Sequence, residues 1–182
     1  MSLLKIIAGR YKNFSLETPD SLEVRPTLAR ARKALFDSLG SFEGLKVLDL
    51  CSGVGTFALE AASRGAVSAV CIEKNPIHCS CIRRNFSNCS FSSVEVLNRD
   101  VLQVDFATLG GFDYIFADPP YAVSGEVFAA LAVNNDFTSL LEAATLIWEL
   151  PAEIEAAAPF FKSALFKSGK IKVFEGTRFV IV

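Results

Sequence analysis

The stretch KVLDLCSGVGTFALEAASRG, Lys46 to Gly65, contains an apolar run, a glycine-rich turn and a helical pattern in direct succession. The apolar run predicts a strand over Lys46–Leu50, and the pattern after the turn predicts a helix over Thr56–Arg64. Gly53 and Gly55 let the backbone of the turn approach a ligand closely, and the helix N-terminus offers free amide groups. This succession is typical of α/β folds that bind a cofactor containing a nucleotide.

Strand and helix patterns alternate from this stretch towards the C-terminus. The predicted strands are Ser68–Ile72, Ser93–Leu97, Asp113–Ala117 and Ala144–Glu149, and the predicted helices are Pro76–Ser87, Glu126–Val133 and Ala152–Ala158. Apolar strands that alternate with helices predict a mainly parallel sheet with helices on both faces. The segments Phe160–Phe166, Ile171–Phe174 and Phe179–Val182 predict an antiparallel hairpin at one edge of that sheet.

The first 42 residues differ from the rest in pattern and in charge. They predict two short extended pieces, Leu3–Ala8 and Phe14–Leu16, and then a helix that ends at Leu39 and has Thr27 as its N-cap. Residues 1–40 hold seven basic and four acidic residues, whereas the remainder holds 11 basic and 16 acidic ones. We therefore expect a basic extension, residues 1–42, before a domain of residues 43–182. Contact with a polyanion and a solvated helix face explain this charge equally well.

Composition excludes several other classes of protein. The chain has 182 residues, 51% of them hydrophobic, but no apolar run long enough to span a membrane. Its N-terminus lacks the pattern of a signal peptide, so we expect a cytoplasmic protein with no membrane partner. The net charge of only −2 and the lack of an obvious apolar patch lead us to expect a monomer. The five cysteines form no paired CxxC framework and the only histidine is His78, so we expect reduced thiols, no metal and no Ser-His or Cys-His catalysis.

Acidic residues follow the second and third predicted strands. Glu73 stands 20 residues after Gly53, where its carboxylate can accept hydrogen bonds from both hydroxyls of a ribose. Asp100 would lie near an adenine in a doubly wound sheet, although a short acidic loop explains it as well. The glycine turn and Glu73 fit a dinucleotide as well as they fit S-adenosylmethionine (SAM).

The fourth predicted strand ends in Asp118-Pro119-Pro120-Tyr121, which points to a specific chemistry. The two prolines remove two N–H donors and stiffen the backbone, leaving the Asp118 carboxylate and the Pro119 carbonyl as acceptors. An exocyclic amine complements them, because it donates two hydrogen bonds and becomes positively charged as it is methylated. Tyr121 offers a flat face on which a base can stack. The pattern therefore predicts a methyltransferase that acts on a base amine.

The whole chain resembles the bacterial 16S rRNA guanine-N2 methyltransferases. The similar segments are KIIAGRYKNFSL, RPTLARARKALFDSL, VLDLCSGVGTFALEAASRGA, IEKN, DPPY and LIWEL. The resemblance implies a SAM-dependent, Rossmann-like class I fold with a mainly parallel seven-stranded sheet, and 16S rRNA in the 30S subunit or an assembly intermediate as partner. It implies cofactor contacts at Asp49, Ser52, Gly53, Gly55, Glu73 and Asp100. Asp118, Pro119, Pro120 and Tyr121 would surround the guanine amine, and Arg10, Lys12, Arg25, Thr27, Arg30 and Arg32 would meet RNA.

Four alternatives remain open at the level of sequence. A methyltransferase that acts on another RNA base or on a DNA base would use the same acceptors, Asp118 and Pro119. For the DNA enzymes, however, no segment is long enough for a DNA-recognition insert. Protein glutamine methyltransferases usually carry Asn where this chain has Asp118. A nicotinamide-dependent oxidoreductase would leave DPPY unexplained, and a non-catalytic RNA-binding module would leave Glu73 and Asp118 without a role.

Overall fold

The computed structural model describes residues 4–19, 26–150, 160 and 163–182. Its helices are α1 Pro26–Leu39, α2 Thr56–Ser63, α3 Pro76–Asn88, α4 Tyr121–Leu131, α5 Asn135–Leu140 and α6 Ala164–Ser168. Its strands are β1 Lys46–Leu50, β2 Ser68–Glu73, β3 Val94–Asn98, β4 Tyr114–Ala117, β5 Thr145–Leu150, β6 Lys170–Phe174 and β7 Thr177–Ile181. Two short 3₁₀ turns, Val101–Gln103 and Phe106–Thr108, lie between β3 and β4.

The seven strands form one sheet in the order β3-β2-β1-β4-β5-β7-β6. Strands β1 to β5 are parallel, and β7 runs antiparallel to both β5 and β6. The order reverses at β1, which pairs with β2 on one side and with β4 on the other. In open parallel sheets, ligands bind outside the carboxyl ends of the strands at such a reversal. The topology thus places the candidate site at the ends of β1 and β4.

Each face of the sheet has its own apolar core. Helices α1, α2 and α3 cover one face, where the ring of Phe36 stacks on that of Phe116 with centroids 5.2 Å apart. Helices α4, α5 and α6 cover the other, where Phe128 meets Trp148 edge-on at 4.9 Å. Burial on both faces explains why the parallel strands are almost continuously apolar.

The N-terminal segment folds back as a hairpin onto helix α2. Lys5 and Ser15 form an isolated antiparallel bridge, and the fully buried Glu60 carboxylate accepts hydrogen bonds from the amides of Ile7 (2.8 Å) and Ala8 (3.2 Å). Gly9 lies so close to helix α2 that a Cβ would be 1.8 Å from the Ser63 carbonyl oxygen, so only glycine fits there. The segment is thus attached to the helix that follows the glycine turn. The domain division at residue 42 stays a prediction.

The structure corrects several predicted elements. Helix α1 begins at Pro26, so Thr27 lies within its first turn rather than at the N-cap; proline is favoured at that position because its φ is already helical. Helix α4 begins directly after Pro120 instead of at Glu126. The C-terminal hairpin consists of β6 and β7 alone, since residues 164–168 are helical, and helix α5 was not predicted. The predicted helix Ala152–Ala158 lies outside the described residues.

In the parts of the chain that the structure covers, no helix has the length and apolar character required to cross a membrane.

Candidate active site

The glycine turn after β1 is held in a left-handed backbone conformation at three positions. The φ angles are 58° at Cys51, 56° at Gly53 and 84° at Gly55. This conformation costs roughly 1–2 kcal/mol at a residue other than glycine, so Cys51 carries local backbone strain. The turn is fixed by the Ser52 amide, which donates to the Ile72 carbonyl (2.9 Å), and by the Gly55 amide, which donates to the Ser52 carbonyl (2.8 Å).

The two glycines of this turn differ in what surrounds them. A Cβ on Gly53 would meet no atom within 4 Å, so this residue faces open space at the end of β1. A Cβ on Gly55 would lie 3.3–3.4 Å from Ile82 and 3.4 Å from Phe86 of helix α3. Gly53 therefore leaves room for a ligand, whereas Gly55 allows close packing of α2 against α3.

Glu73, at the end of β2, connects two loops of the site. Its carboxylate accepts hydrogen bonds from the amides of Gly53 and Asn75, each 2.8 Å long. A carboxylate has about four acceptor positions, so capacity remains for two further donors. This geometry fits the ribose diol that the sequence predicts as the ligand of Glu73.

Asp49 is buried inside the turn, with 1% of its surface exposed. Its carboxylate accepts a hydrogen bond from the Ala58 amide (3.1 Å) in the first turn of α2, and the Ser52 hydroxyl donates to its backbone carbonyl (2.7 Å). Burial raises the pKa of Asp49 to about 8. The hydrogen bond from Ala58 lowers this pKa, and the negative charges of Asp118 and Glu73 raise it further. In this structure, Asp49 and Ser52 support the turn from within.

Asp100 begins the 3₁₀ turn after β3 and accepts a hydrogen bond from the Leu102 amide (3.0 Å). The pKa of the Cys51 thiol shows that the predicted carboxylates converge, because burial and four negative charges raise it to about 12. Those charges are, in order of effect, Glu73, Asp49, Asp100 and Asp118. The structure therefore gathers all four predicted carboxylates around the turn.

Two exposed apolar side chains near these carboxylates were not predicted. Ile77, at the start of α3, is 61% exposed, and Leu102 is 50% exposed. Ile77 lies four residues after Glu73, and Leu102 lies two residues after Asp100. The apolar residue that follows Pro76 could have indicated the first of them.

The donor-free corner Asp118–Tyr121 adjoins the glycine turn. Leu50 of β1 pairs with Ala117 of β4, so Cys51 and Asp118 are the next residues on neighbouring parallel strands. Burial raises the pKa of Asp118 to about 6, and the positive charge of Arg32 opposes that rise. Pro119 is buried, and Pro120 is exposed and precedes helix α4. The corner and the turn thus line one crevice.

Tyr121 is 39% exposed, and its hydroxyl donates a hydrogen bond to the Glu149 carboxylate (2.8 Å). Glu149 lies on β5 and was not predicted as a site residue. The sequence could have indicated Glu149, because it is an acidic residue inside the apolar run LIWEL. In the sheet, that strand lies beside the strand that precedes DPPY. The contact fixes the tilt of the Tyr121 ring beside the corner.

The predicted RNA contacts fall into two groups. Arg10 and Lys12 at the tip of the hairpin and Arg30 on helix α1 are exposed. Arg32 is instead 5% exposed, and its Nη2 donates to the Lys5 carbonyl (2.9 Å). Thr27 lies in the first turn of α1, and Arg25 lies outside the residues that the structure describes.

Within the described ranges, no group of three or more His, Cys, Asp or Glu residues is arranged to hold a metal ion.

Comparison with known proteins agrees with this geometry. The family model described as "Conserved hypothetical protein 95" matches residues 4–168. Ribosomal RNA small subunit methyltransferase D of Buchnera aphidicola subsp. Baizongia pistaciae is 30% identical over 136 residues, which are 72% of this chain and 69% of the relative. The putative rRNA methyltransferase YlbH of Bacillus subtilis is 26% identical over 157 residues, 84% of this chain and 85% of the relative.

Solved structures share the fold. The putative methyltransferase yhhF from Escherichia coli aligns with a TM-score of 0.67 at 22% identity, over 99% of this chain and 97% of that one. A hypothetical protein from Thermus thermophilus aligns with a TM-score of 0.75 at 23% identity, over 99% of both chains. The predicted family and the class I fold are confirmed. The chain belongs to the Conserved hypothetical protein 95 family, and its relatives identify that family as the one of the ribosomal RNA small subunit methyltransferases D.

Proposed function

We propose that this protein transfers a methyl group from SAM to the exocyclic N2 amine of a guanine in 16S rRNA. One observation carries the proposal: a donor-free acceptor corner and a glycine turn lie side by side at the point where the strand order reverses. The curated relatives named as small subunit rRNA methyltransferases support rRNA as the substrate. The resemblance of RPTLARARKALF and DPPY to the guanine-N2 enzymes supports the choice of base.

The residues around the turn fit a cofactor that carries a ribose and an adenine. Gly53 leaves open space, and Glu73 retains acceptor capacity for a ribose diol. We assign the adenine to the neighbourhood of Asp100, where the exposed side chains of Ile77 and Leu102 offer apolar faces. When bound, SAM supplies a methyl group that is already activated on a sulfonium. The protein therefore has mainly to position the acceptor nitrogen.

The corner performs that positioning. The Asp118 carboxylate and the Pro119 carbonyl accept one hydrogen bond each from the two N–H groups of the amine. These two bonds fix the direction of the nitrogen lone pair. The same acceptors stabilise the positive charge that develops on nitrogen as its fourth bond forms. Tyr121 stacks on the base, with its ring held by the hydrogen bond to Glu149.

Asp118 accepts through both oxygens and carries the negative charge that stabilises the amine only when it is ionised, because protonation turns one oxygen into a donor and removes the charge. With a pKa of about 6, the group is mostly ionised at pH 7. A guanine inside a helix cannot reach this crevice, so the substrate base must be flipped out or already exposed in a loop. The exposed Arg10, Lys12 and Arg30 are the residues we assign to the surrounding rRNA, in the 30S subunit or an assembly intermediate.

The test combines transfer of tritium from labelled SAM with calorimetry of SAM binding, on wild type and Asp118→Ala. Asp118→Ala should lose transfer by about 100-fold or more, on the scale of a lost charge-stabilising group, while SAM affinity changes little. Asp136→Asn, at an exposed carboxylate on α5, serves as the control and should leave both unchanged. Loss of SAM binding together with transfer would show that Asp118 belongs to the cofactor site instead.

A further inference from the structure

Arg32 is a buried cation on helix α1. Only 5% of its surface is exposed, and its Nη2 donates to the Lys5 carbonyl of the N-terminal hairpin (2.9 Å). Its Nε atom is buried and has no hydrogen-bond partner among the residues that the structure describes. A guanidinium in such a position needs negative charge nearby, because an isolated buried charge is strongly unfavourable.

The register of helix and strand explains which charges surround it. Arg32 and Phe36 are four residues apart and share one face of α1. Phe36 stacks on Phe116, and Phe116 and Asp118 alternate onto the same side of the sheet. Arg32 lies one helical turn before Phe36 on that face, and its charge acts on Asp118, two residues beyond Phe116.

Glu149 joins this cluster from the neighbouring strand. Ala117 pairs with Trp148, so Asp118 and Glu149 are adjacent across β4 and β5 and point to the same side. The charges of Glu60, Asp118 and Glu149 favour the charged form of Arg32, against the burial that lowers its pKa. One buried guanidinium thus interacts electrostatically with both carboxylates, the one in the acceptor corner and the one that holds Tyr121.

The other charged or titratable groups around the cluster come from three elements. Arg64, directly after α2, acts on Arg32 with the same sign of charge, and Glu60 of α2 acts with the opposite sign. The charge of Asp118 adds to the rise in the pKa of Asp49 of β1, and Tyr121 of α4 contacts Glu149 through its hydroxyl. Among these groups and the buried thiol of Cys51, Arg32 is the cation that acts on Asp118.

We propose that Arg32 is the positioning residue of the acceptor corner: its buried charge, held by the Lys5 carbonyl, keeps the Asp118 carboxylate ionised. The role in methyl transfer rests on the proposed function; the effect on the carboxylate does not. The N-terminal segment then completes the active site, and Arg32 differs in purpose from its exposed neighbour Arg30.

The test reads the Asp118 carboxyl carbon by NMR over pH 4–10 in the protein without cofactor or RNA, with Asp118→Asn to assign the signal. Arg32→Met removes the charge and keeps most of the side-chain volume. Its Asp118 midpoint should rise by about two pH units, the usual effect of an adjacent opposite charge. Arg32→Lys keeps the positive charge, so its Asp118 midpoint should lie close to that of the wild type. Lys33→Met removes an exposed charge one residue away and should leave the midpoint unchanged.

A second variant covers the case in which Arg32→Met does not fold. Arg32→Gln removes the charge but keeps a donor for the Lys5 carbonyl, so the Asp118 midpoint should rise as it does in Arg32→Met. An unchanged midpoint in either folded variant overturns the proposal. An Arg32→Met protein that titrates like the wild type but binds 16S rRNA more weakly would make Arg32 an RNA contact instead.

Methyl transfer gives the functional readout. A midpoint two units higher should lower the rate of Arg32→Met at pH 7 by about tenfold and let it recover near pH 9, whereas lost packing would lower the rate at every pH. Because the carboxyl titration needs no substrate, it can support the role of Arg32 even if methyl transfer to guanine is not found. In that event the proposed function would be rejected, while the effect of Arg32 on Asp118 would stand.

Discussion

Replacing Asp49 by Asn should stabilise the protein, by an amount that grows with pH. Asp49 is 1% exposed, and burial raises its pKa from 3.8 to about 8. A group whose pKa is raised on folding contributes stability below its unfolded pKa and loses that contribution as pH rises through its folded pKa. The wild type should therefore become progressively less stable than Asp49→Asn between about pH 4 and pH 8.

The size of the effect follows from the shift. Each rise of one pH unit inside this window lowers the free energy of unfolding of the wild type by about 1.4 kcal/mol relative to that of Asp49→Asn. The difference between the two proteins should therefore grow by roughly 3 kcal/mol between pH 5 and pH 7. The asparagine amide still offers an oxygen to the Ala58 N–H, so the hydrogen bond at the start of α2 is kept.

Urea unfolding at pH 5, 6, 7 and 8 measures this difference. The chain has one tryptophan, the fully buried Trp148, whose fluorescence reports loss of the core. Asp136→Asn, at an exposed position, gives the pH dependence of the same substitution at the surface. A difference between wild type and Asp49→Asn that stays constant from pH 5 to pH 7 would refute the reasoning, because burial of Asp49 would then impose no cost on its ionisation.

Two further predictions concern the hairpin and the glycine turn. Glu60→Gln should lower the free energy of unfolding by about 2–4 kcal/mol and speed amide exchange at Ile7 and Ala8, because one amide oxygen cannot replace a carboxylate that accepts from both amides and from Arg64. The exposed Glu142→Gln should change neither, and unchanged exchange in Glu60→Gln would contradict the hairpin contact. Gly53→Ala and Gly55→Ala should each lose roughly 1–2 kcal/mol of stability, because both positions have a left-handed φ. Gly53→Ala should in addition weaken SAM binding in calorimetry, whereas Gly55→Ala should lose further stability by crowding Ile82 and leave SAM binding nearly unchanged. Equal effects of the two would mean that both glycines serve packing alone.

The parallel strands could be predicted almost completely from the sequence. The predicted and observed ends of β1 are identical, and those of β2 to β5 differ by at most one residue at either end. The reason is that strands covered on both faces are short apolar runs, which few other elements imitate. The order of strands was not predicted, because alternation and right-handed crossovers are compatible with more than one order.

The helices after the corner were harder to predict. The helix predicted from Glu126 begins five residues earlier, at Tyr121, because Pro120 fits a helix start, and Gly125 lies inside it. Helix α5 has six residues, too few for a clear periodic pattern. For short elements of this kind, packing against the sheet outweighs local propensity.

The candidate site was predictable in its parts but not in its contacts. Glycines, strand-end acids and DPPY are local patterns, and the structure places Gly53, Glu73 and Asp118 around one crevice. The burial of Arg32 depends on a hairpin carbonyl 27 residues away, and the role of Glu60 depends on amides more than 50 residues away. No local pattern carries such information, so the basic helix could be interpreted only as a polyanion contact or as a solvated face.

The most direct test of the central claim is mass spectrometry of nucleosides after methylation with deuterium-labelled SAM. The substrates are 30S subunits and free 16S rRNA from cells that lack this protein, with DNA as a comparison and Asp118→Ala as the inactive enzyme. The account predicts label in N2-methylguanosine from the small-subunit RNA and none from DNA. Label on the amine of adenine or cytosine, or equal labelling with Asp118→Ala, would contradict it.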